Sequence, residues 1–142
     1  MNEKMKPTIP LLDVGGEGRY STAINLNPRP GKTLGPDKGD PIPNRIAGRA
    51  EAIPLPDQTV EFIIMERTPL RDAAIDELVR VLAPGGTIIL RHHIDGNCNP
   101  HDRVMKRIDG VTRLEKIALD GQLLQQLTIS SAVKKPSKTC PG

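Results

Sequence analysis

The three histidines of this chain lie close together in the sequence, at His92, His93 and His101, and Cys98 lies between them. A histidine that follows a sheet strand can act as a general base, and a cysteine and a histidine three residues apart can bind zinc. Adjacent residues of a strand point to opposite faces, so His92 and His93 cannot readily bind one ion. The pattern predicts a catalytic or substrate-contacting role for His92 and His93, or alternatively a solvated loop, and no metal site.

A second pair of reactive side chains, Glu66 and Arg67, follows directly on the apolar segment VEFIIM at 60–65. That segment is typical of a buried strand, and open α/β sheets bind ligands beyond the carboxyl ends of their strands. We therefore predict that Glu66 and Arg67 belong to a catalytic site. An ordinary ion pair at the end of the strand is the alternative.

A glycine-rich turn follows the first apolar run, with Asp13 before it and glycines at Gly15, Gly16 and Gly18. A turn without Cβ atoms exposes its backbone N–H groups, so the polar part of a ligand can approach closely. We expect Gly16→Val to abolish ligand binding and to leave the fold intact. The alternative is a tight corner with no ligand, since glycine clusters are common in turns.

The elements that must position these residues follow from the apolar periodicity. Short apolar runs predict strands at 9–14, 23–26, 60–65 and 87–91, with a weak one at 45–53. Ile75, Leu78, Val79 and Leu82 form the stripe of an amphipathic helix over 72–82, with Asp72 as its N-cap. A short helix at 101–108 precedes two alternating runs, 112–119 and 122–130, and Asp120-Gly121 between them predicts a hairpin.

The composition fits one small domain with generous loops. The chain has 142 residues, 14 of them Pro and 13 Gly, and a net charge of +3 from 20 basic and 17 acidic residues. Tyr20 and Phe62 are the only aromatic residues, so the stacking platforms of RRM-like and OB-like nucleic-acid binders are excluded. We predict one domain over 1–133, a long Gly/Pro loop at 27–44 and a disordered basic tail at 134–142.

No segment has the length of a membrane span or of a signal-peptide core, and two cysteines are too few for a disulfide framework. We therefore expect a cytoplasmic protein in a reducing compartment. The mild positive charge permits an anionic or nucleic-acid target without requiring one.

Three segments in this order, LLDVGGEG at 11–18, AEAIPLPDQTVEFIIM at 50–65 and DELVRVLAPGGTIIL at 76–90, resemble the motifs of class I S-adenosylmethionine-dependent methyltransferases. The resemblance implies an α/β fold: a reduced Rossmann-like, mostly parallel sheet closed by a C-terminal antiparallel hairpin. It also implies S-adenosylmethionine as the cofactor, a methyl acceptor that the sequence does not identify, and a cofactor site formed by Asp13, Gly15, Gly16, Gly18, Asn25, Ala50 and Glu51.

The chain departs from the family pattern at two charged positions. Asn25 stands where the family commonly has the acidic residue that holds the ribose hydroxyls, and Arg49 stands at the usual acidic position on the adenine side. The segment 19–22 leaves no room for the first helix of the family. The compact arrangement also resembles domains of bacterial polymorphic toxins and effectors, so a repurposed binding or effector module is the alternative to a methyltransferase.

Overall fold

The structure, a computed structural model, describes residues 8–94 and 99–135. These residues form seven strands and two helices, in chain order β1 Ile9–Val14, β2 Ile24–Leu26, β3 Arg45–Ile46, β4 Val60–Glu66, α1 Asp72–Val81, β5 Leu82–His92, α2 Pro100–Arg107, β6 Ile108–Leu119 and β7 Gln122–Lys134.

All seven strands belong to one sheet with the order β3-β2-β1-β4-β5-β7-β6. The pairs from β3 to β5 are parallel, and β7 pairs antiparallel with both β5 and β6. Asp120 and Gly121 both have positive φ, as a two-residue hairpin turn requires. The predicted fold, a mostly parallel sheet closed by an antiparallel hairpin, is therefore confirmed.

The main core lies between one face of the sheet and the two helices. The stripe of α1 buries Ala74, Ile75, Leu78 and Val81 in the same cluster as Val104 of α2. From the sheet this cluster takes side chains that lie side by side in register, namely Leu12, Ile63, Ile88 and Ile129. Both helices therefore cover the same face.

The opposite face of the sheet is open over much of its area. Leu11, Phe62, Thr87 and Ser130 are neighbours in register on this face, and Phe62 is 47% exposed. No helix within 8–94 and 99–135 packs there. Only the carboxyl edge of this face is covered, by the link between β1 and β2.

Several element boundaries differ from the predicted ones. The N-cap of α1 is Arg71, whose side chain makes no capping bond, and Asp72 is instead the first helical residue, where its charge favours the helix dipole. The predicted strand at 45–53 shrinks to two residues, Arg45 and Ile46, which pair with Asn25 and Leu26 of β2. Lys134 of the predicted tail ends β7, and residues 136–142 lie outside the described part of the chain.

Within the described ranges, neither helix is long and apolar enough to cross a membrane.

The core position of α1 can be tested with a pair of adjacent substitutions. Leu78 is fully buried and Val79 only partly, so Leu78→Ala should lower the free energy of unfolding by about 2 to 4 kcal/mol, and Val79→Ala by clearly less. Chemical denaturation of both variants provides the measurement. An equal loss in the two would show that the helix is rotated relative to this description.

Candidate functional site

A cavity of about 770 Å³ opens at the carboxyl edge of the sheet. Val14 of β1, Leu26 of β2 and Glu66 of β4 contribute to its wall. The chain runs from β1 to β2 on one side and returns to β4 on the other side of β1, so the cavity lies at the point where the strand order reverses. This is the usual ligand position in open α/β sheets, and the volume suits a nucleoside-sized ligand.

The structure brings six of the eleven predicted site residues to the cavity wall: Gly15, Gly18, Ala50, Glu51, Glu66 and Arg67. It places the other five away from the wall: Asp13, Gly16, Asn25, His92 and His93. Asp13, Asn25 and His92 are buried in the surrounding structure, and His93 is exposed.

The link between β1 and β2, residues 15–23, contains no helix and is held to the sheet by charge. Arg19 donates two hydrogen bonds to the carboxylate of Asp13, at 3.0 and 2.9 Å, and its third nitrogen lies 2.8 Å from Glu66 Oε1. Asp13 is fully buried, so its carboxylate requires such a partner. Arg19 therefore joins the ends of β1 and β4.

The second oxygen of Glu66 has two more donors. Tyr20 donates its hydroxyl at 2.6 Å, and Arg91 of β5 lies at 2.6 Å from the same oxygen. Arg91 also lies 2.8 Å from the Tyr20 hydroxyl oxygen and from Gln126 Oε1 on β7. Two arginines thus balance two carboxylates across three strands, β1, β4 and β5, and we call Asp13, Arg19, Tyr20, Glu66 and Arg91 the edge network.

The edge network fixes the protonation of its members. Burial acts to raise the pKa of Glu66, but the hydrogen bonds from Tyr20 and Arg91 and the charges of Arg19 and Arg91 outweigh it and hold the pKa below its usual value. Burial and the bond to Glu66 raise the pKa of Tyr20. Burial also raises the pKa of Asp13, against the effect of Arg19. Glu66 is therefore a saturated, ionised group, which makes it a poor general base.

The glycine turn is required by the packing of the chain itself. Gly15 and Gly18 have φ of 81° and 108°, which favours glycine. At Gly16 a Cβ would overlap the side chains of Asp13 and Asn25. The expectation that Gly16→Val leaves the fold intact is therefore wrong, because a valine would displace two buried polar side chains.

Asn27 lines the cavity, whereas the predicted Asn25 does not. Asn25 lies within β2, where its Nδ2 donates to Pro43 O at 2.8 Å and its buried Oδ1 has no partner among the described residues. Asn27 follows β2 directly, lines the cavity, and donates from Nδ2 to Gly16 O at 3.1 Å. Asn25 and Asn27 are two residues apart and so share one face of the strand, and Asn27 lines the cavity because it lies beyond the end of β2.

The long Gly/Pro loop at 27–44 forms one wall of the cavity. Glu17 of the glycine turn accepts hydrogen bonds from the Thr33 backbone N–H at 2.9 Å, from its hydroxyl at 2.5 Å, and from the Leu34 N–H at 3.3 Å. A bridge between Gly31 and Pro41 closes the loop on itself. The loop is thereby fixed against the turn that it faces.

Residues 48–51 form another part of the cavity wall. A Cβ at Gly48 would contact Leu26 at 2.9 Å, so this segment packs directly against the end of β2. Ala50 is buried, and Glu51 forms an ion pair of 3.2 Å with Arg71. Arg49 also lines the cavity and is exposed.

Two of the three histidines, His92 and His101, form a buried pair. His92 Nε2 lies 2.7 Å from Thr68 O, and a carbonyl only accepts, so this nitrogen carries the proton. His92 Nδ1 then accepts from His101 Nε2 at 3.0 Å, which leaves Nδ1 of the neutral His101 ring as an acceptor. His101 Nδ1 lies 2.8 Å from the Gln125 Oε1 position, so the Gln125 amide must turn its NH2 group toward this nitrogen. Burial lowers the pKa of His92 to about 4 and also lowers that of His101.

These contacts give the histidine pair a packing role. The Nε2 proton of His92 is committed to a backbone carbonyl, and no ring of the pair lines the cavity. No group of metal-binding side chains occurs within 8–94 and 99–135, and Cys98 lies outside the described residues. The predicted catalytic role of His92 and His93 has no support in this geometry.

Arg67 is held in a strained backbone conformation at the cavity. Its φ is 61°, which is uncommon outside glycine. One Nη lies 2.8 Å from Asp120 in the β6–β7 turn, and its buried Nε has no partner among the described residues. Strained residues of this kind cluster at functional sites, which supports the prediction made for Arg67.

Sequence patterns did not identify Arg19, Tyr20, Arg91 or Asn27. The signal available was weak: a lone aromatic next to an arginine in a link too short for a helix, and an arginine at the same strand-end position of β5 that Glu66 has on β4.

Comparison with known proteins gives a consistent result. A family model described as a methyltransferase domain matches residues 9–90. No curated protein matches the sequence.

Solved structures share the fold at low sequence identity. A 16S rRNA adenine methyltransferase from Catenulisporales acidiphilia, solved with its cosubstrate S-adenosylmethionine, is 13% identical with a TM-score of 0.58, covering 92% of this chain and 88% of that one. A SAM-dependent methyltransferase from Thermotoga maritima is 15% identical with a TM-score of 0.61, covering 89% and 84%. The resemblance to toxin and effector domains gains no support from these findings.

The edge network can be tested by removing one charge without changing shape. Glu66→Gln leaves Arg19 and Arg91 with one buried carboxylate between them, so we expect a loss of about 3 kcal/mol or more in unfolding free energy. Glu115→Gln, a partly exposed carboxylate paired with Arg113 on β6, is the matched control and should cost under about 1 kcal/mol. Urea denaturation measures both, and similar small losses would contradict the described network.

The histidine pair predicts a pH dependence of stability. The pKa of His92 is about 4 in the folded chain and about 6.5 when unfolded. Its contribution is therefore complete above about pH 6.5 and is lost as the pH falls toward 4, by up to about 3 kcal/mol. Denaturation curves from pH 7.5 downward should show a shallower decline for His92→Gln than for the parent, whereas exposed His93→Gln should follow the parent. Parallel curves for all three chains would contradict this assignment.

Proposed function

Because this chain belongs to the methyltransferase domain family, with residues 9–90 matching the family model, we propose that it binds S-adenosylmethionine in the cavity and transfers the methyl group to an acceptor. The position of the cavity is the observation that carries the proposal. It lies where β1, β2 and β4 end and the strand order reverses, and its glycine turn forms part of the wall.

The residues of the cavity fit such a cofactor in size and in polarity. Gly15, Gly18 and the side chain of Arg19 would face the methionyl group, since a guanidinium suits a carboxylate. Asn27 would hold the ribose hydroxyls in place of the predicted Asn25, and Ala50 with Glu51 would contact the adenine. When bound, the cofactor supplies an activated methyl group.

The chain supplies position rather than proton transfer. Both oxygens of Glu66 are taken by donors, and the Tyr20 hydroxyl is held between Glu66 and Arg91. Neither group is free to accept a proton from an acceptor. We therefore propose an acceptor whose nucleophilic atom carries a free lone pair at neutral pH, such as an uncharged amine or ring nitrogen, oriented by Arg67 at the cavity rim.

A titration tests the cofactor site in the parent and in a charge variant. Arg49 is exposed and makes no side-chain bond among the described residues, so Arg49→Asp should not disturb the fold. Restoring the acidic residue typical of the family should strengthen binding of S-adenosylmethionine about tenfold, equivalent to about 1.4 kcal/mol, through a charge-assisted hydrogen bond. Isothermal titration calorimetry provides the measurement.

Lys116→Asp on β6 is the control, because it makes the same charge reversal away from the cavity and should leave the affinity unchanged. Failure of the parent and of Arg49→Asp to bind at millimolar cofactor would contradict the proposed function. Equal strengthening by Lys116→Asp would show a general charge effect and would remove Arg49 from the site.

A further inference from the structure

The ribose side of the cavity has an unusual charge. Asn27, at the end of β2, is neutral, and two arginines line the same cavity. Arg29 follows Asn27 by two residues, and Arg49 follows Gly48, which packs against Leu26 at the end of the same strand. Both arginines line the cavity.

Arg29 and Arg49 differ from the other cations of the cavity wall in having no side-chain partner within 8–94 and 99–135. Arg19 is paired with Asp13 and Glu66, and Arg67 with Asp120. Arg71 and Lys32 also have carboxylate partners, at 3.2 and 3.9 Å. The unpaired positive charge of the wall is therefore concentrated at the end of β2.

Two other carboxylates of the cavity wall, Glu17 and Glu51, have partners in the chain. Glu17 accepts three hydrogen bonds from Thr33 and Leu34, and Glu51 is paired with Arg71. A third arginine, Arg45, donates to the carbonyl oxygens of Asn27 and Pro28, at 3.0 and 3.1 Å, and so fixes the end of the strand.

In open α/β sheets that bind nucleotides, the residue at this strand end contacts the ribose. A carboxylate there accepts hydrogen bonds from ribose hydroxyls, whereas an arginine nearby accommodates a phosphate on the ribose. A neutral asparagine with two unpaired arginines in the same cavity wall matches the second case, because guanidinium groups bind phosphate oxygens with paired N–H donors.

We infer that this cavity binds a nucleoside that carries a phosphate on its ribose, with Arg29 and Arg49 as the phosphate ligands. The phosphate belongs either to a free nucleotide or to a nucleotide within an RNA strand, since the recognising chemistry is the same. The inference goes beyond the proposed methyl transfer and concerns a second ligand class that would compete for the same cavity.

The experiment compares three probes by calorimetry: adenosine, adenosine 3′-monophosphate and a short oligoadenylate. We expect the monophosphate to bind at least about tenfold more tightly than adenosine, and this preference to weaken at high ionic strength. The double variant Arg29→Gln/Arg49→Gln should reduce the preference to about twofold or less. Lys116→Gln removes one exposed charge elsewhere and should leave it intact.

The outcomes distinguish RNA from a free nucleotide as the ligand, and the phosphate site from the proposed cofactor site. Tighter binding of the oligoadenylate than of the monophosphate would assign the ligand to RNA, and the reverse would assign it to a free nucleotide. Equal affinities for adenosine and its monophosphate, or an equal loss with Lys116→Gln, would overturn the inference. Arg49→Asp is expected to strengthen binding of S-adenosylmethionine and to abolish the preference for the monophosphate over adenosine. If one of these ligands fails to bind, the result for the other ligand is therefore unaffected.

Discussion

The edge network is the constraint on which the candidate site depends. A link of nine residues between two parallel strands is shorter than the dozen or more that a crossover normally needs, and it cannot supply a helix to cover the sheet. The chain covers the carboxyl edge with Arg19 and Tyr20 instead. Because their partners lie on β1, β4 and β5, the same contacts that anchor the link also align the strand ends that surround the cavity.

This solution limits the chemistry available at the site. The carboxylate Glu66 is balanced by two arginines and accepts a hydrogen bond from Tyr20. The buried His92 and His101 contact each other, the Thr68 carbonyl and Gln125. The cavity therefore combines charged side chains at its rim with groups at its base that are not available for proton transfer. Methyl transfer is compatible with such a site, since positioning of the reactants can account for much of the rate.

The sequence predicted the elements well where a local pattern carries the information. The apolar run of β4, the stripe of α1 and the Asp120-Gly121 turn each depend on neighbours within a few residues, and all three are present. The pairing of Tyr20 with Arg91, 71 residues apart, has no local signal. The choice between Asn25 and Asn27 depends on where a three-residue strand ends, because the two side chains share one face and only the one beyond the strand end lines the cavity.

The order of the strands also determines how the sheet ends. Its two outer strands are β3, with two residues, and β6, with twelve. The first is too short to template another strand, and the second carries charged side chains along its length, Asp109, Arg113, Glu115 and Lys116. Short and charged borders are the means by which natural sheets prevent edge-to-edge aggregation. A domain that leaves much of one sheet face uncovered is thereby protected at both of its unpaired backbone edges.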